Sequence, residues 1–518
     1  MKTNRLYRVL PFSLLVILFL FAGSAMANYK IRPHVDPDRP YINADRDESV
    51  YLVVKFDLPE LDKRPDDRPD LNLGLVIDRS GSMEERGKMS YARDAAKTVV
   101  DKLSYNDYLA VVEYDDIVSV LWPSSHVESK ERIKSRISEL YPRGSTNLSG
   151  GMMKGVDEVN RSFLRRGINR VLLLSDGLAN QGVTDPQAIK RLVKEARRRG
   201  ITISTMGLGL DYNEDLMQMI AEHAGGRYYF IENPKQMHAI FEQELGTIFA
   251  TVAKNVKARL RLSGSVRHCQ VFGYVHENNG RSVDIEIGDL YAGEEVSVVL
   301  KLDVDPQDPG SVYLGDIEFS YTDVNDNNTV NESQRLSVRA SRDETIIEKN
   351  IDKDVTVEAA LVEADAIHDE QIRLYEQGDI AQAQSNIAML NDHLMKINTS
   401  YADPSLSAKI EALDMENEEM KEAEESAEGQ SSYLKKSKAR TYQAQKGNRS
   451  SYVMQDGDSG FEVEQLQRVL TDNGYYSGPI DGVYDKDVSD AVKSFQTANS
   501  IAADGIAGPK TLKAAGLY

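Results

Sequence analysis

Short apolar runs alternate with amphipathic segments between residue 71 and about residue 253, and this alternation constrains the fold more than any other feature. The apolar runs lack a polar residue at every second position, which predicts strands that are buried on both faces. Strands that alternate with helices predict a mostly parallel, doubly wound α/β sheet with helices on both faces. In such sheets, ligands bind beyond the carboxyl ends of the strands. The four runs are "LNLGLVID", "YLAVVEYD", "NRVLLLSD" and "ITISTMGLG".

The segments on either side, residues 28–65 and 254–342, have a different pattern. Apolar and polar residues alternate there, and Gly, Asp, Asn or Pro separates the runs. This pattern is typical of antiparallel strands and predicts a β-sandwich. We predict that the run "SVYLVVKFDLP" pairs with strands of the later segment, so that the α/β domain, residues 66–253, is inserted into the sandwich.

Three further segments follow the sandwich. Residues 343–425 contain two stretches of helical periodicity around Gly378 and predict a helical hairpin or spacer. Residues 426–454 are rich in Ser, Lys, Gln and Arg and poor in large apolar residues, which predicts a flexible linker. Residues 455–518 contain two related stretches, each with an Asp-Gly turn before a helix, and predict a compact helical module.

The N-terminal residues 1–27 have the layout of a cleavable secretory signal: three basic residues, an apolar run and the small residues of "SAMA". The alternative is an uncleaved membrane anchor, but the run is shorter than the roughly 20 residues that span a bilayer. We expect the mature chain to lie outside the cytoplasm, in the periplasm, at the cell wall or secreted, without a transmembrane segment.

Charge and residue content argue against nucleic-acid binding, an intrachain disulfide and a zinc site. The 82 acidic and 62 basic residues give a formal charge of -20, which repels phosphate backbones and argues against nucleic acid as a partner. Cys269 is the only cysteine, so an intrachain disulfide is impossible. The eight histidines show no zinc-ligand spacing.

The loop "VIDRSGSM" follows the first apolar run and concentrates oxygen side chains at Asp78, Ser80 and Ser82. Two other loops of the predicted domain add Thr146, in "RGSTNLSGGM", and Asp176, in "VLLLSDG". Carboxylate and hydroxyl ligands without His or Cys suit a hard cation, Mg²⁺ or Mn²⁺ before Zn²⁺. Because hydroxyls neutralise no charge, such a cation would seek an anionic ligand.

These residues resemble the metal-ion-dependent adhesion site (MIDAS) of von Willebrand factor type A (VWA) domains, and all five positions match. The resemblance implies Mg²⁺ at this site and a protein partner whose Asp or Glu carboxylate completes the coordination of the metal. The flanking sandwich is similar in architecture to inter-alpha-trypsin-inhibitor-like heavy chains.

The C-terminal module resembles bacterial peptidoglycan-binding domains of the three-helix, repeat-built kind. The match includes "NGYYSGPIDG" at residues 473–482, "FQ" at 495–496 and "DGIAGPKTL" at 504–512, whereas Tyr484 and Asp485 replace the usual Phe-Gly. The resemblance implies that the module binds peptidoglycan. The residues we assign to this contact are Tyr476, Asp481, Tyr484 and Gln496.

Together these features predict a binding, adhesion or scaffold protein of the cell envelope and not an enzyme. An aspartyl-phosphate phosphatase would need an Asp where Ser80 stands, and no Ser-His-Asp or metalloprotease pattern is evident. Two alternatives stay open: a cell-envelope hydrolase, and a metal-dependent assembly or chaperone factor. The chain has no P-loop motif of its own.

Overall fold

The computed structural model describes residues 31–59, 68–446 and 453–517, and the predicted signal peptide over residues 1–27 lies outside them. All elements below belong to the unit Arg32–Tyr518. No helix among the described residues is long and apolar enough to cross a membrane. Cys269 is buried, and burial raises the pKa of its thiol to about 12, in line with a packing role.

A six-stranded sheet forms the centre of the α/β domain, and every residue of its two middle strands, Leu71–Asp78 and Ile168–Ser175, is buried. The strands are β4 (Leu71–Asp78), β5 (Tyr108–Tyr114), β6 (Val118–His126), β7 (Ile168–Ser175), β8 (Thr202–Leu208) and β9 (Tyr228–Ile231). Their order is β6-β5-β4-β7-β8-β9, with β6 antiparallel and the other strands parallel. The predicted doubly wound sheet is confirmed.

Six helices cover the two faces of this sheet, each face with its own apolar core. They are α1 (Lys88–Lys102), α2 (Lys130–Ser138), α3 (Leu148–Arg161), α4 (Pro186–Arg198), α5 (Glu214–Ala224) and α6 (Met237–Phe249). A 3-10 segment, Gly81–Gly87, connects the end of β4 to α1.

Two antiparallel sheets form the sandwich, in the orders β1-β3-β14-β11 and β12-β13-β10-β15-β16-β2, with only β2 and β16 parallel. Phe56 of one sheet meets Phe319 of the other edge-on, with ring centroids 5.9 Å apart. The strands are β1 (Arg32–Pro37), β2 (Tyr41–Asn43), β3 (Glu48–Asp57), β10 (Thr251–Leu262), β11 (Val266–Val271), β12 (Val275–Asn279), β13 (Ser282–Tyr291), β14 (Ser297–Val304), β15 (Gly310–Asp323) and β16 (Thr329–Ser341).

The pairing of β3 with β14 joins chain segments on opposite sides of the α/β domain. The two strands run antiparallel, with Leu52 opposite Leu300. The predicted insertion of the α/β domain into the sandwich is therefore confirmed. Both ends of the inserted domain lead into strands of the sandwich, β3 before it and β10 after it.

Helices make up the rest of the chain. After the short α7 (Glu344–Lys349), four long helices pack in the cyclic order α8-α9-α10-α11, and the C-terminal module adds three more. The elements are α8 (Lys353–Glu376), α9 (Ile380–Tyr401), α10 (Pro404–Ala423), α11 (Ala427–Gln445), α12 (Phe461–Asp472), α13 (Lys486–Ala498) and α14 (Pro509–Ala514). The predicted hairpin is present as α8 and α9, but residues 343–425 also contain α10, and α11 completes a four-helix bundle.

The flexible linker predicted over residues 426–454 is wrong for Ala427–Gln445, which form α11. Tyr442 of this helix is 2% exposed and belongs to the apolar core of the α/β domain. Its ring meets Tyr228 of β9 edge-on, with centroids 5.7 Å apart. The helix α11 has few apolar residues, but it is stabilised because some of them are buried in the core of the α/β domain.

Two lysines of α11, Lys435 and Lys438, are buried and paired with carboxylates, which composition alone cannot reveal. The Lys435 ammonium is 4% exposed, donates to the Tyr212 carbonyl oxygen at 2.8 Å and pairs with Glu214. The Lys438 ammonium donates to Asp215 at 2.8 Å. Buried charges persist when they are paired and hydrogen-bonded, so these lysines fix α11 against the start of α5.

We predict that Tyr442→Ala lowers the free energy of unfolding of the α/β domain by about 3–5 kcal/mol, the usual cost of emptying a buried aromatic site. Urea denaturation followed by circular dichroism measures the change. Tyr105, whose ring is 63% exposed, provides the control, because Tyr105→Ala should change stability by less than about 0.5 kcal/mol. Equal effects of the two substitutions would mean that α11 does not belong to the domain core.

Candidate functional site

Three loops meet at the carboxyl edge of the central sheet: the loops that follow the parallel strands β4 and β7, and the loop between α2 and α3. Asp78 is the last residue of β4, and Asp176 follows β7 directly. Thr146 lies in the loop before α3, and the hydrogen bond from the Gly81 N–H to the Gly144 carbonyl oxygen, 3.1 Å, ties that loop to the one after β4. The fold thus brings all five predicted residues, Asp78, Ser80, Ser82, Thr146 and Asp176, to one edge.

Gly144 shows why the loop before Thr146 needs a glycine. Its φ is +69°, in the left-handed region that side chains disfavour, and a Cβ there would lie 2.1 Å from the Asp116 carboxylate. The neighbouring Asp115 is buried and pairs with both Arg79, at 3.0 Å, and Arg143, at 2.8 Å. These contacts fix the loop beside the site.

Asp78 is fully buried, and both of its carboxylate oxygens accept hydrogen bonds. One accepts from the Ser80 backbone N–H at 2.8 Å, and the other accepts from the Ser175 hydroxyl at 2.7 Å. Burial, with the negative charge of Asp176 as the second cause, raises the pKa of Asp78 to about 6. Two carboxylates this close together repel each other, and a positive charge nearby would stabilise their ionised forms.

Asp176 is the centre of the hydroxyl cluster. One of its carboxylate oxygens accepts from the Ser82 hydroxyl at 2.7 Å and from the Ser80 hydroxyl at 3.4 Å. The two serine hydroxyl oxygens lie 3.1 Å apart. Its other oxygen accepts from the Lys88 ammonium at 2.7 Å.

Gly177 leaves open the space that the hydroxyls surround. A Cβ at this position would lie 3.0 Å from the Thr146 hydroxyl oxygen, 3.5 Å from that of Ser82 and 3.8 Å from that of Ser80. Three hydroxyls therefore border one small space, beside the carboxylate of Asp176. This is a cradle that a side chain at residue 177 would fill.

Lys88 is the residue at this site that sequence reasoning missed. It is the first residue of α1, and its side chain is 4% exposed. A lysine at the start of a helix normally extends into solvent, so the motif alone gave no reason to place it here. The sequence feature that could have indicated burial of Lys88 is its position next to Met89, the first of the inward-facing apolar residues of α1.

The chemistry of these side chains fits a hard divalent cation. Hydroxyl and carboxylate oxygens are the ligands that Mg²⁺ and Mn²⁺ prefer. Among the described residues, no group of three or more His, Cys, Asp and Glu side chains forms a metal site. A cation at this edge of the sheet would therefore depend on the hydroxyls of Ser80, Ser82 and Thr146.

The C-terminal module contains two similar turns, each held by one buried glutamine. The Gln467 amide donates to Asp481 at 3.0 Å, and the Gln496 amide donates to Asp504 at 2.8 Å. In both turns the glutamine oxygen accepts from the backbone N–H of the glycine that follows the aspartate. The two related half-units seen in the sequence are thus built in the same way.

Burial corrects the peptidoglycan contacts expected in this module. Tyr484 is 0% exposed and donates to the Gly505 carbonyl oxygen at 3.0 Å, and Gln496 is 1% exposed. The prediction that these two side chains contact peptidoglycan is wrong, because they lie inside the module. Tyr476 is 7% exposed and Asp481 lies at the surface, and a role for them stays a prediction.

Two family models match the chain. Residues 72–243 match the von Willebrand factor type A domain, and residues 459–515 match the family described as "Putative peptidoglycan binding domain". The first range contains all five site residues at the sheet edge, and the second contains both glutamine-held turns.

Curated relatives cover part of the chain. The uncharacterized protein YfbK of Escherichia coli (strain K12) is 31% identical over 264 residues, which are 49% of this chain and 45% of YfbK. Inter-alpha-trypsin inhibitor heavy chain H1 of Sus scrofa is 28% identical over 185 residues, 33% of this chain and 20% of that protein. The chain spans less than half the length of these two relatives.

Solved structures share a larger part of the fold. The von Willebrand factor type A protein from Catenulispora acidiphila has a TM-score of 0.58 at 17% identity and covers 73% of this chain and 88% of its own. The ArnB paralog VWA2 from Sulfolobus acidocaldarius has a TM-score of 0.54 at 17% identity, covering 81% and 99%. The shared fold thus extends well beyond residues 72–243. The α/β domain belongs to the von Willebrand factor type A family, and the C-terminal module belongs to the peptidoglycan-binding domain family.

Proposed function

We propose that this protein is a non-catalytic binding or scaffold protein of the cell envelope, in which the VWA domain captures a protein partner and the C-terminal module binds peptidoglycan. The capture depends on Mg²⁺, or Mn²⁺, held by Asp78, Ser80, Ser82, Thr146 and Asp176. The observation that carries the proposal is the space next to Gly177, which three hydroxyls and the Asp176 carboxylate border.

The bound cation would supply a Lewis-acidic position for a carboxylate oxygen of the partner. The three hydroxyls are neutral and leave the charge of the cation uncancelled. Asp78 and Asp176 are oriented by hydrogen bonds from Ser175 and from Ser82. An Asp or Glu side chain of the partner is therefore the ligand that this donor set favours.

Exposed apolar side chains around the site support a protein partner over a small anion. Ile117 lies in the turn after β5, Tyr141 in the loop that leads to Thr146, and Leu178 and Val183 in the loop after Asp176. They are 54%, 54%, 58% and 41% exposed. Exposed apolar side chains that cluster on a surface mark sites of protein interaction.

The C-terminal module lies against the bundle, which links the two proposed binding functions. Lys510 and Lys513 of α14 pair with Glu411, at 2.9 Å, and Glu419, at 3.3 Å, on α10 of the bundle. The module that would bind the wall is therefore in contact with the body that carries the VWA domain.

Gly177→Ala should abolish Mn²⁺ binding, because the new Cβ would occupy the space that the three hydroxyls border. Mn²⁺ titration followed by electron paramagnetic resonance measures the loss directly. Gly246→Ala in α6 is the matched control, since a Cβ there meets nothing within 4 Å. Unchanged Mn²⁺ affinity in Gly177→Ala would rule out this position for the metal.

Partner capture from an envelope extract should require Mg²⁺ and fail in EDTA and in Asp78→Ala. Leu178→Asp should reduce capture by about tenfold or more, with Mn²⁺ affinity retained, because a buried apolar contact of about 1.5–3 kcal/mol would be lost and a like charge brought near the partner carboxylate. Quantitative mass spectrometry of the captured proteins gives the comparison. Capture that is equal in EDTA and in Mg²⁺ would contradict the metal-dependent mechanism.

Cosedimentation with purified peptidoglycan should be independent of the metal. The full chain is expected to pellet with sacculi equally in Mg²⁺, in EDTA and as the Gly177→Ala variant, because the module lies outside the metal site. Sacculi digested to soluble fragments are the control and should leave the protein in the supernatant. Failure to pellet with intact sacculi would argue against wall binding by this chain.

A further inference from the structure

We propose that Lys88 is a built-in counter-ion of Asp176, which keeps the site in its folded arrangement without metal, so that the divalent cation is a reversible ligand. The inference rests on the proposed metal site. It assigns a role to a residue outside the five predicted ligands.

The ion pair between Lys88 and Asp176 is almost completely removed from solvent. The ammonium nitrogen lies 2.7 Å from the carboxylate oxygen, and the two side chains are 4% and 0% exposed. A buried charge without a partner is strongly destabilising, whereas a buried charge in a hydrogen-bonded pair is tolerated. Asp176 therefore has a permanent cationic partner in the protein itself.

The other carboxylate oxygens of the site also have donors within the chain. The second oxygen of Asp176 accepts from Ser82, and the two oxygens of Asp78 accept from Ser80 and Ser175. All four carboxylate oxygens are thus hydrogen-bonded by protein groups. This arrangement is complete without a metal ion, which is the condition for a site that can lose its metal and remain folded.

The backbone and a neighbouring loop hold the Lys88 side chain in place. The Lys88 N–H donates to the Met83 and Glu85 carbonyl oxygens, which fixes the start of α1. A Cβ at Gly209 would lie 3.5 Å from both the terminal carbon and the nitrogen of Lys88, so the loop after β8 lies close to the ammonium group. The hydrogen bond to Asp176 holds that group at the site.

Lys88 also changes the net charge of the site. With both aspartates ionised, the two carboxylates and the ammonium leave one net negative charge. A divalent cation then leaves one net positive charge, which a single carboxylate of the partner neutralises. Without Lys88, the loaded site would be neutral and its attraction for an anionic ligand weaker.

The test compares the melting temperature of the full chain in EDTA and in saturating Mg²⁺, together with Mn²⁺ affinity. In EDTA, Lys88→Met should melt about 10 °C below the wild type, because Asp176 is left unpaired. In Mg²⁺ the difference in melting temperature between Lys88→Met and the wild type should be less than about half of its value in EDTA, because the metal replaces the missing charge. Mn²⁺ should bind Lys88→Met about tenfold more tightly, since a like charge is gone.

Lys97→Met is the matched control, because Lys97 lies on the same helix and pairs with Asp94 at the surface. The Lys97→Met variant should change neither the melting temperature nor the Mn²⁺ affinity. The double variant Lys88→Met with Asp176→Asn removes both charges and should be folded in EDTA even where Lys88→Met is not. A double variant that does not fold would show that Lys88 is needed for packing and would overturn the inference.

An equal loss of stability in EDTA and in Mg²⁺, with unchanged Mn²⁺ affinity, would also overturn it, while the metal site itself would stand. Absence of Mn²⁺ binding to the wild type would instead overturn the proposed function. The two failures are thus distinguished by the Mn²⁺ titration of the wild type.

Discussion

Two buried carboxylates, Asp78 and Asp176, lie close together at the carboxyl edge of the central sheet. Hydrogen-bond donors around them offset the loss of their hydration. Each carboxylate is 0% exposed. Asp78 accepts from the Ser80 N–H and the Ser175 hydroxyl, and Asp176 accepts from serine hydroxyls and the Lys88 ammonium. In a medium of low dielectric constant, such charges persist only where donors or cations are fixed in position. Two of these hydroxyls, those of Ser80 and Ser82, also border the space next to Gly177, together with that of Thr146. The stabilisation of Asp176 and the shape of the proposed metal site therefore share these two side chains.

The insertion of the VWA domain into the sandwich fixes this site relative to the rest of the chain. Both ends of the domain lead into sandwich strands, and the fully buried Arg170 of β7 donates to Tyr291 of β13 at 3.1 Å and pairs with Asp289 at 3.3 Å. On the other side, α11 contributes Tyr442 to the domain core. The site thus belongs to a body that also includes the sandwich and the bundle, which suits a scaffold better than a set of domains on flexible tethers.

Local periodicity was enough to predict the α/β sheet and the sandwich, because buried strands and half-buried strands have different patterns. The order of the strands within each sheet came from the tertiary structure. It failed for α11, where stability comes from a few aromatic residues and from lysines paired with carboxylates far away in sequence, such as Glu214. Two of the four predicted peptidoglycan contacts are wrong for a related reason. Gln496 and Tyr484 both bond to backbone groups of Gly505, inside the module.

By itself, the sequence determined the order of the domains and the five oxygen-bearing residues at the sheet edge, since strand ends and loop residues follow from local pattern. Only the tertiary structure decided which charges meet. Lys88 reaches Asp176, 88 residues away, because β4 and β7 are neighbouring parallel strands and α1 begins after the loop that follows β4. Lys435 reaches Glu214 because α11 packs against α5. Contacts between side chains that are distant in sequence depend on how whole elements pack, and no local pattern records them.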